Sequence, residues 1–369
     1  MPQVLTSLDR LLPWLQERGI GRLLVVCDPV VRKLPLRQEL NALPLPCVWI
    51  DEVRPNPRYE DICAAVSLFC QEGCDGILAV GGGSAIDTAK CIKLWCRETP
   101  GEVPFLRRPY GDTGVPLAAI PTTAGTGSEA THYAVIYYEG VKQSIAHKSL
   151  RPDAAILLPF LLDTLPPYQK KTTLSDALCQ AIESFWALSA TEESRAFASS
   201  AIRRILAHKD AYLAGNSAVN DEIQQAAYEA GCAIDITATT AAHAMSYKLT
   251  SLYGLAHGHA VGLCMTALWP YMCAHTQDTR LPGGQAAQQA VFDRLAALFA
   301  ASDAAEAAAC YIAFFDSLAL PAPPQVTDAE LDLLAASVNP ERLGNNPVLL
   351  SEETLRQLYA RCVNGTKRT

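Results

Sequence analysis

The run GGGSAIDTAK at residues 81–90 begins with three consecutive glycines, a pattern that can bind a phosphate. It follows the apolar residues 76–80, which predict a buried strand, and Ser84 is predicted to cap a helix over 84–95. Glycines let backbone N–H groups approach an anion, and the first turn of a helix adds its unpaired donors and its dipole. The run therefore predicts a phosphate site, although its spacing is not G-x-G-x-x-G and many glycine runs are only turns.

A carboxylate and two imidazoles farther along the chain have the chemistry of a metal site: Asp176, His243 and His257. Asp176 shares one face of a predicted helix with Gln180, His243 lies in an apolar helical stretch, and His257 follows a turn. This donor set suits Zn²⁺ or Fe²⁺ and leaves a position for a substrate oxygen. The alternative is a hydrogen-bonded core role for each histidine, because the spacing matches no compact metal motif.

Two further candidate sites follow predicted strands. Asp28 could accept hydrogen bonds from an adenosine ribose and repel a 2′-phosphate, or it could cap the helix that Pro29 begins. The loop TTAGTGSE at residues 122–129 could bind a ligand through its hydroxyls, or could simply join a strand to a helix. Two such loops at the carboxyl ends of strands favour a ligand in a crevice.

The predicted secondary structure that must position these residues changes near residue 160, from alternating strands and helices to helices alone. Before it, short apolar runs alternate with helical patterns, which predicts a parallel sheet flanked by helices. Strands are predicted at 22–27, 47–50, 76–80 and 116–121, a hairpin at 133–138 and 143–146, and helices at 1–18, 61–72 and 84–95. After it, helices are predicted at 172–189, 192–214, 220–234 and 286–301, and loops at 321–324 and 345–347. We therefore expect an α/β domain, residues 1–160, followed by an all-helical domain, residues 161–369.

Composition narrows the possible classes of protein. The net charge is −8 and basic runs are no longer than pairs, so a nucleic-acid partner is not expected. No apolar stretch reaches the roughly 18 residues of a membrane span, and residues 1–18 lack a signal-peptide pattern. Thirteen scattered cysteines without a C-x-x-C pair indicate reduced thiols in a cytoplasmic protein.

Together, GGGSAIDTAK, PTTAGTGSEAT at 121–131, the two histidines and NPER at 339–342 resemble the iron-type (group III) alcohol dehydrogenase family over essentially the whole chain. The resemblance implies a dehydroquinate synthase-like fold, with NAD(H) on the α/β domain, a divalent metal in the cleft beside the helical domain, and a homodimer. It implies that Asp176, His243 and His257 bind the metal, and that Asp28 favours NAD(H) over NADP(H). The residues implied for cofactor binding are Asp28, Gly82, Gly83, Ser84, Asp87, Thr122, Thr123 and Lys142.

Two positions depart from the family pattern. The iron enzymes carry a histidine four residues after the aspartate, where this chain has Gln180, and often a second one where it has Tyr247. Gln180 is a possible fourth ligand through its amide oxygen, or a hydrogen-bond partner of metal-bound water. Relatives with an Asp-His-His set often hold Zn²⁺, and some, such as maleylacetate reductases, use no metal, so a metal-free site also remains open.

Residues 174–184 and 242–254 resemble the phosphonoacetaldehyde reductases of this family, which reduce phosphonoacetaldehyde to 2-hydroxyethylphosphonate. A dianionic phosphonate needs cationic or N–H donors. Candidate groups are the cations Lys248, His259, His132 and Arg58 and the neutral donors Asn56 and Tyr133. Lys248 lies roughly 140° around a helix from His243. Tyr247 and His259 are candidates for relaying a proton to the alkoxide.

The expected reaction is thus a metal-assisted reduction of phosphonoacetaldehyde by NADH. Another small alcohol or aldehyde as substrate is the nearest alternative. A dehydroquinate synthase-like cyclase would need several pocket lysines and arginines that the sequence does not place. A non-catalytic nucleotide-binding protein would keep the glycine loop but have no need for Asp176, His243 and His257.

Overall fold

The computed structural model describes residues 1–99, 101, 103–323 and 325–363 and divides the chain into two units, Met1–Thr164 and Leu165–Thr369. In the first unit six strands form one parallel sheet, in the order β1-β8-β5-β4-β2-β3, and two more form an antiparallel hairpin. The sheet strands are β1 (Gln3–Leu5), β2 (Leu23–Cys27), β3 (Cys47–Ile50), β4 (Gly76–Gly81), β5 (Leu117–Pro121) and β8 (Ala154–Ile156), and the hairpin strands are β6 (Tyr133–Tyr138) and β7 (Val141–Ala146).

Helices cover both faces of the sheet. They are α1 (Leu11–Glu17), α2 (Leu36–Asn41), α3 (Tyr59–Gln71) and α4 (Gly83–Trp95). Within β2, Leu24 and Val26 pack into the hydrophobic cluster that contains residues of α3 and α4. Leu23 and Val25 point the other way and pack with residues of α1 and α2. Because both faces of the sheet are covered, the inner strands β2, β4 and β5 are continuous buried runs, which is why the sequence predicted them correctly.

The first residues correct one prediction. Residues 1–18 do not form a single amphipathic helix: Gln3–Leu5 is the edge strand β1, paired in parallel with β8, and only Leu11–Glu17 is α-helical. Three-residue strands leave no periodic pattern in the sequence, so neither β1 nor β8 was predicted. The hairpin was predicted correctly and turns at Glu139 and Gly140, both with positive φ, as tight hairpin turns require.

The helices of the second unit are joined by loops, and the unit has no strand of the length of those in the first unit among its described residues. Its helices are α5 (Pro167–Trp186), α6 (Glu192–Leu213), α7 (Asn220–Thr237), α8 (Ala241–Tyr253), α9 (His257–Ala274), α10 (Gly284–Leu298), α11 (Ala304–Ser317), α12 (Asp328–Ala336), α13 (Pro340–Gly344) and α14 (Glu352–Val363). The predicted α/β-then-helical fold class is therefore confirmed. The loop predicted at 345–347 is present, and Pro324 of the loop predicted at 321–324 lies outside the described residues.

Helix α5 is the central element of the second unit and packs against α6, α7, α9 and α10. It begins earlier than predicted because Pro167 occupies its first turn, where the missing N–H costs nothing. The described helices include none long and apolar enough to cross a bilayer. All thirteen cysteines are described and have free thiols, eight of them buried.

Candidate metal centre and cofactor crevice

The carboxyl ends of three adjacent strands meet at one edge of the sheet. β5, β4 and β2 lie side by side in parallel, and the residues that follow them are Thr122, Gly82 and Asp28 respectively. From β2 the chain continues to β3 on one side, and then returns to β4 on the other. Such a reversal of strand order leaves a crevice outside the carboxyl ends of the two strands, where α/β sheets bind their ligands.

The glycine loop has the close approaches that its composition suggested. Gly81 has φ of 156°, and a Cβ added there would lie 2.3 Å from Asp28 Oδ2 and 2.7 Å from Ala85 Cβ. Gly82, not the predicted Ser84, is the N-cap of α4, and Ser84 is the second helical residue. The prediction for Ser84 was wrong because a glycine at the N-cap has no side chain, which lets the chain turn directly from β4 into α4. The first-turn N–H groups of α4 remain at the crevice.

Asp28 occupies the N-cap position of the short 3-10 helix Pro29–Lys33, yet its side chain makes no capping hydrogen bond. Its Oδ2 instead accepts the Gly82 backbone N–H at 2.8 Å. Burial raises the pKa of Asp28 to about 6, even though the Gly82 hydrogen bond favours ionisation. The Asp28 carboxylate therefore lies beside the glycines at the crevice. Its recognition of a ribose remains a prediction.

Asp28→Asn should make the free protein more stable and weaken NADH binding. Asparagine keeps an acceptor for Gly82 N–H but removes a desolvated charge, whose cost appears as pH rises from 3.8 towards 6 and is complete above it. The rise in unfolding temperature should thus be largest at pH 8 and shrink towards pH 5. Loss of a charged acceptor should weaken NADH binding by roughly tenfold or more.

Fluorescence titration with NADH and NADPH, together with thermal unfolding at the two pH values, measures both effects. NADPH should gain affinity relative to NADH, because the repulsion of its 2′-phosphate is removed. An unchanged ratio of the two dissociation constants would contradict the ribose role of Asp28. Asp9→Asn, an exposed carboxylate of the same unit, is the control.

The 122–131 loop is tied to α4 by two side chains of the GGGSAIDTAK run. Asp87 accepts hydrogen bonds from Ser128 Oγ at 2.6 Å and from Val135 N at 2.9 Å. Lys90, which is fully buried, donates to Ser128 Oγ, Thr131 Oγ1 and the Tyr133 carbonyl at 2.6–3.0 Å. Sequence reasoning quoted Lys90 only as part of the motif. Both residues hold the loop beside the glycines.

The other residues predicted for the cofactor lie along this loop and the hairpin. Thr122 is buried and its N–H donates to the Gly81 carbonyl. Thr123 borders Gly82, since a Cβ there would lie 3.6 Å from Thr123 Oγ1. Lys142 pairs in register with Tyr137 in the hairpin, and its charge acts on Asp87. The structure thus brings Asp28, the glycines and the threonines together within the first unit.

Asp176, His243 and His257 converge in the second unit, although they come from three different helices. One ligand atom from each lies within 4.8 Å of the others. Asp176 Oδ1 is 3.4 Å from His243 Nε2 and 3.8 Å from His257 Nε2. Asp176 and His243 are buried, whereas the His257 side chain is 37% exposed, so the cluster is accessible at His257.

The donor atoms of this cluster fit a divalent metal. Asp176 Oδ1 and His243 Nε2 are buried, and neither has a hydrogen-bond partner among the described residues. Unpaired polar atoms are costly to bury, and one carboxylate with two imidazoles is a common donor set for Zn²⁺ or Fe²⁺. Gln180 lies one turn along α5, buried, and its side chain contacts the Asp176 carboxylate. Its role as fourth ligand remains a prediction.

Glu183 is the residue of this site that sequence reasoning missed. It is fully buried on α5, and its Oε2 forms a short hydrogen bond with His243 Nδ1. Burial lowers the pKa of His243, but the Glu183 and Asp176 carboxylates outweigh it and raise that pKa to about 9. A metal ion must therefore displace a proton from His243 to bind. The signal was present, since Asp176, Gln180 and Glu183 are spaced i, i+4, i+7 on one helix face.

Tyr247, Lys248 and His259 differ in their relation to this cluster. The Tyr247 ring stacks on the His257 ring at 6.1 Å between centroids, and its hydroxyl contacts Thr239 and Arg342. His259 is buried, and its Nδ1 hydrogen-bonds the Tyr168 hydroxyl at 3.1 Å. Lys248 is partly exposed on α8. Tyr247 therefore contacts His257, one of the predicted metal ligands.

The remaining substrate candidates belong to the first unit. Asn56 is exposed in a bend with φ of 62°, and Arg58 is exposed and precedes α3. Tyr133 begins β6, and its ring packs against His132 with centroids 4.0 Å apart. Their roles towards a substrate remain predictions.

Comparison with known proteins identifies the family. Residues 5–159 match the iron-containing alcohol dehydrogenase family, and residues 171–363 match its C-terminal domain. The chain belongs to the iron-containing alcohol dehydrogenase family. A curated relative, phosphonoacetaldehyde reductase of Streptomyces viridochromogenes, is 34% identical over 83% of this chain and 81% of its own length.

Solved structures of iron-containing alcohol dehydrogenases and a reductase share the fold. The iron-containing alcohol dehydrogenase of Thermococcus thioreducens has a TM-score of 0.88 at 22% identity, covering 99% of this chain and 98% of that one. Sulfoacetaldehyde reductase of Bifidobacterium kashiwanohense, solved in complex with NAD⁺, has a TM-score of 0.86 at 22% identity and covers 98% and 97%. The chain is therefore an oxidoreductase acting on alcohol or aldehyde groups, and family and geometry together support NAD(H) and a metal ion as cofactors.

Proposed function

We propose that the chain reduces phosphonoacetaldehyde to 2-hydroxyethylphosphonate, oxidising NADH to NAD⁺ and consuming one proton. The observation that carries the proposal is the 34% identity to a phosphonoacetaldehyde reductase over most of both chains. The convergence of Asp176, His243 and His257 supports the metal-assisted chemistry. We further propose a homodimer in the cytoplasm, on the resemblance alone.

The residues divide the work as follows. When bound, a divalent metal polarises a carbonyl oxygen and a nicotinamide carries hydride to its carbon. Asp176, His243 and His257 would hold the metal, with Zn²⁺ favoured over Fe²⁺ because Gln180 replaces the histidine of the iron enzymes. Asp28, the first turn of α4 and Thr122–Thr123 would hold NADH.

Tyr247 is the proton donor that we propose for the alkoxide. Burial raises the pKa of Tyr247, so its hydroxyl is protonated at neutral pH. Its ring lies against His257, whereas the His259 ring packs between Tyr168 and Phe315. His259 would then act only through the Tyr168 hydroxyl.

Arg342 is the cation of the helical unit that we propose for the phosphonate. It contacts Tyr247, which stacks on His257, whereas Lys248 lies on another face of α8 from His243. A guanidinium binds a phosphonate through two parallel hydrogen bonds, which an ammonium cannot do in the same geometry. Sequence reasoning did not include Arg342 among the candidate cations.

The proposed function predicts a strong preference for a dianionic aldehyde. NADH oxidation should be at least about a hundredfold faster in kcat/KM with phosphonoacetaldehyde than with propionaldehyde or lactaldehyde, equivalent to about 2.7 kcal/mol. Sulfoacetaldehyde, a monoanion of similar shape, should fall between them. The assay is run with Zn²⁺, with Fe²⁺ and with EDTA.

Arg342→Gln should lose most of this preference, because the amide cannot pair with the dianion. If the wild-type protein reduces all the aldehydes at equal rates, it is instead a general aldehyde reductase of the same family. Full activity in EDTA would support a metal-free site. No oxidation of NADH under any condition would contradict the proposal.

A further inference from the structure

We propose that Glu183 is a positioning residue that decides which nitrogen of His243 faces the metal site; the inference rests on the metal site of the proposed function. Neither oxygen of Glu183 needs to touch a metal or a substrate for this role. It acts through the proton on the imidazole ring.

The two oxygens of Glu183 have different partners. Oε1 accepts three hydrogen bonds, from Thr240 Oγ1 at 2.8 Å, from Ala242 N at 2.8 Å and from His243 N at 3.3 Å. All three donors belong to the start of α8, so Oε1 occupies the position of an acceptor at a helix N-terminus. Among the described residues, the hydrogen-bond partner of Oε2 is His243 Nδ1.

This arrangement fixes the ring of His243. A carboxylate can only accept, so the neutral imidazole must carry its proton on Nδ1 and donate it to Oε2. The lone pair is then on Nε2, which faces Asp176 Oδ1 at 3.4 Å and has no hydrogen-bond partner among the described residues. Metal-bound histidines generally donate their other N–H to a carboxylate or carbonyl in this way.

Glu183→Gln is the test, because it keeps the shape of the side chain while it changes the proton pattern and removes the charge. The three donors at α8 require the amide oxygen at the Oε1 position, which leaves the NH₂ group facing Nδ1. Nδ1 must then become the acceptor, and the neutral ring carries its proton on Nε2. That N–H points at Asp176 and blocks the lone pair that would bind the metal.

We expect Glu183→Gln to bind Zn²⁺ about a hundredfold more weakly, the upper end of what outer residues of metal sites contribute. Competition with a chromophoric chelator measures the affinity, and the visible absorption of bound Co²⁺ reports the coordination sphere. Thermal unfolding of the metal-free protein is measured in parallel. The metal-free variant should remain folded, because the amide preserves the bonds to α8, although His243 loses its ionic partner.

Three outcomes are distinguishable. A variant that unfolds more easily without metal but binds Zn²⁺ as tightly as wild type assigns Glu183 to packing alone and overturns the inference. Weak Zn²⁺ binding and an altered Co²⁺ spectrum, in a variant that remains folded without metal, support it. A wild-type protein that binds neither ion contradicts the metal site of the proposed function, and with it the positioning role.

Glu229→Gln is the matched control. It exchanges a carboxylate for an amide on α7 of the same unit, where Glu229 pairs with Arg204 at 3.4 Å. It should leave Zn²⁺ affinity and the Co²⁺ spectrum unchanged. Glu183→Asp adds a rescue test: the shorter acid keeps an accept-only group, so it should recover part of the affinity that the amide loses.

Discussion

His257→Ala should lower kcat/KM for the aldehyde by about a thousandfold or more, since a bound metal supplies several kcal/mol of carbonyl polarisation and each 1.36 kcal/mol is tenfold. His257 provides one of three ligand atoms that lie within 4.8 Å of each other. With two ligands left, the metal should be lost on dialysis. Steady-state kinetics and the metal content of the dialysed protein measure the two effects.

NADH binding should survive this substitution. The residues proposed for the cofactor belong to Met1–Thr164, whereas His257 belongs to the other unit. Fluorescence titration should therefore give a dissociation constant for NADH within about twofold of wild type, because no cofactor contact is removed. A variant that loses NADH binding but keeps its turnover per bound cofactor would contradict the assignment of His257 to the metal.

A histidine at the other end of α9 is the matched control for His257→Ala. His275 follows the last residue of that helix, and its Nδ1 lies 2.8 Å from the Tyr271 carbonyl. His275→Ala should leave metal content and turnover unchanged. If both variants lose activity equally, the effect comes from the stability of α9 and not from the metal.

The sequence predicted the elements that carry a local signal. β2 and β4 are continuous apolar runs between helical patterns, and Gly81 at the end of β4 lies too close to Asp28 for a side chain. β1 and β8 were missed because each has three residues. Their pairing joins Val4 to Ala155, far apart in the chain, so no local pattern could reveal it.

The sequence suggested the candidate ligands, which the structure brings together, but it did not suggest the residue that supports one of them. Asp176, His243 and His257 have side chains that imply chemistry, and a resemblance to a family located them. Glu183 has an ordinary side chain for a helix, and its role arises only because the start of α8 lies against it. Likewise, nothing local shows that Gly258 faces the backbone of α5. Tertiary contacts assign both roles.

Gly258→Ala should destabilise the second unit and weaken metal binding together. A Cβ at Gly258 would lie 1.9 Å from the Thr172 carbonyl oxygen and 2.8 Å from Asp176 Cβ. The first is a backbone atom of α5 that cannot rotate away, so the start of α9 must shift. We expect the free energy of unfolding to fall by about 1–3 kcal/mol, as for other overpacked contacts. Chemical denaturation of the metal-free protein measures it.

The sign of the change in unfolding free energy tests the close contact, because alanine is a better helix former than glycine by about 1 kcal/mol. Without the contact, the substitution would therefore stabilise the protein. Gly344→Ala, where a Cβ meets no atom within 4 Å, is the matched control in a helix of the same unit and should not destabilise it. Since His257 is the neighbour of Gly258, the shift should also carry its ring away from Asp176 and reduce Zn²⁺ affinity. A Gly258→Ala variant as stable as wild type, with unchanged Zn²⁺ affinity, would show that α9 does not depend on this close contact with α5 to place His257.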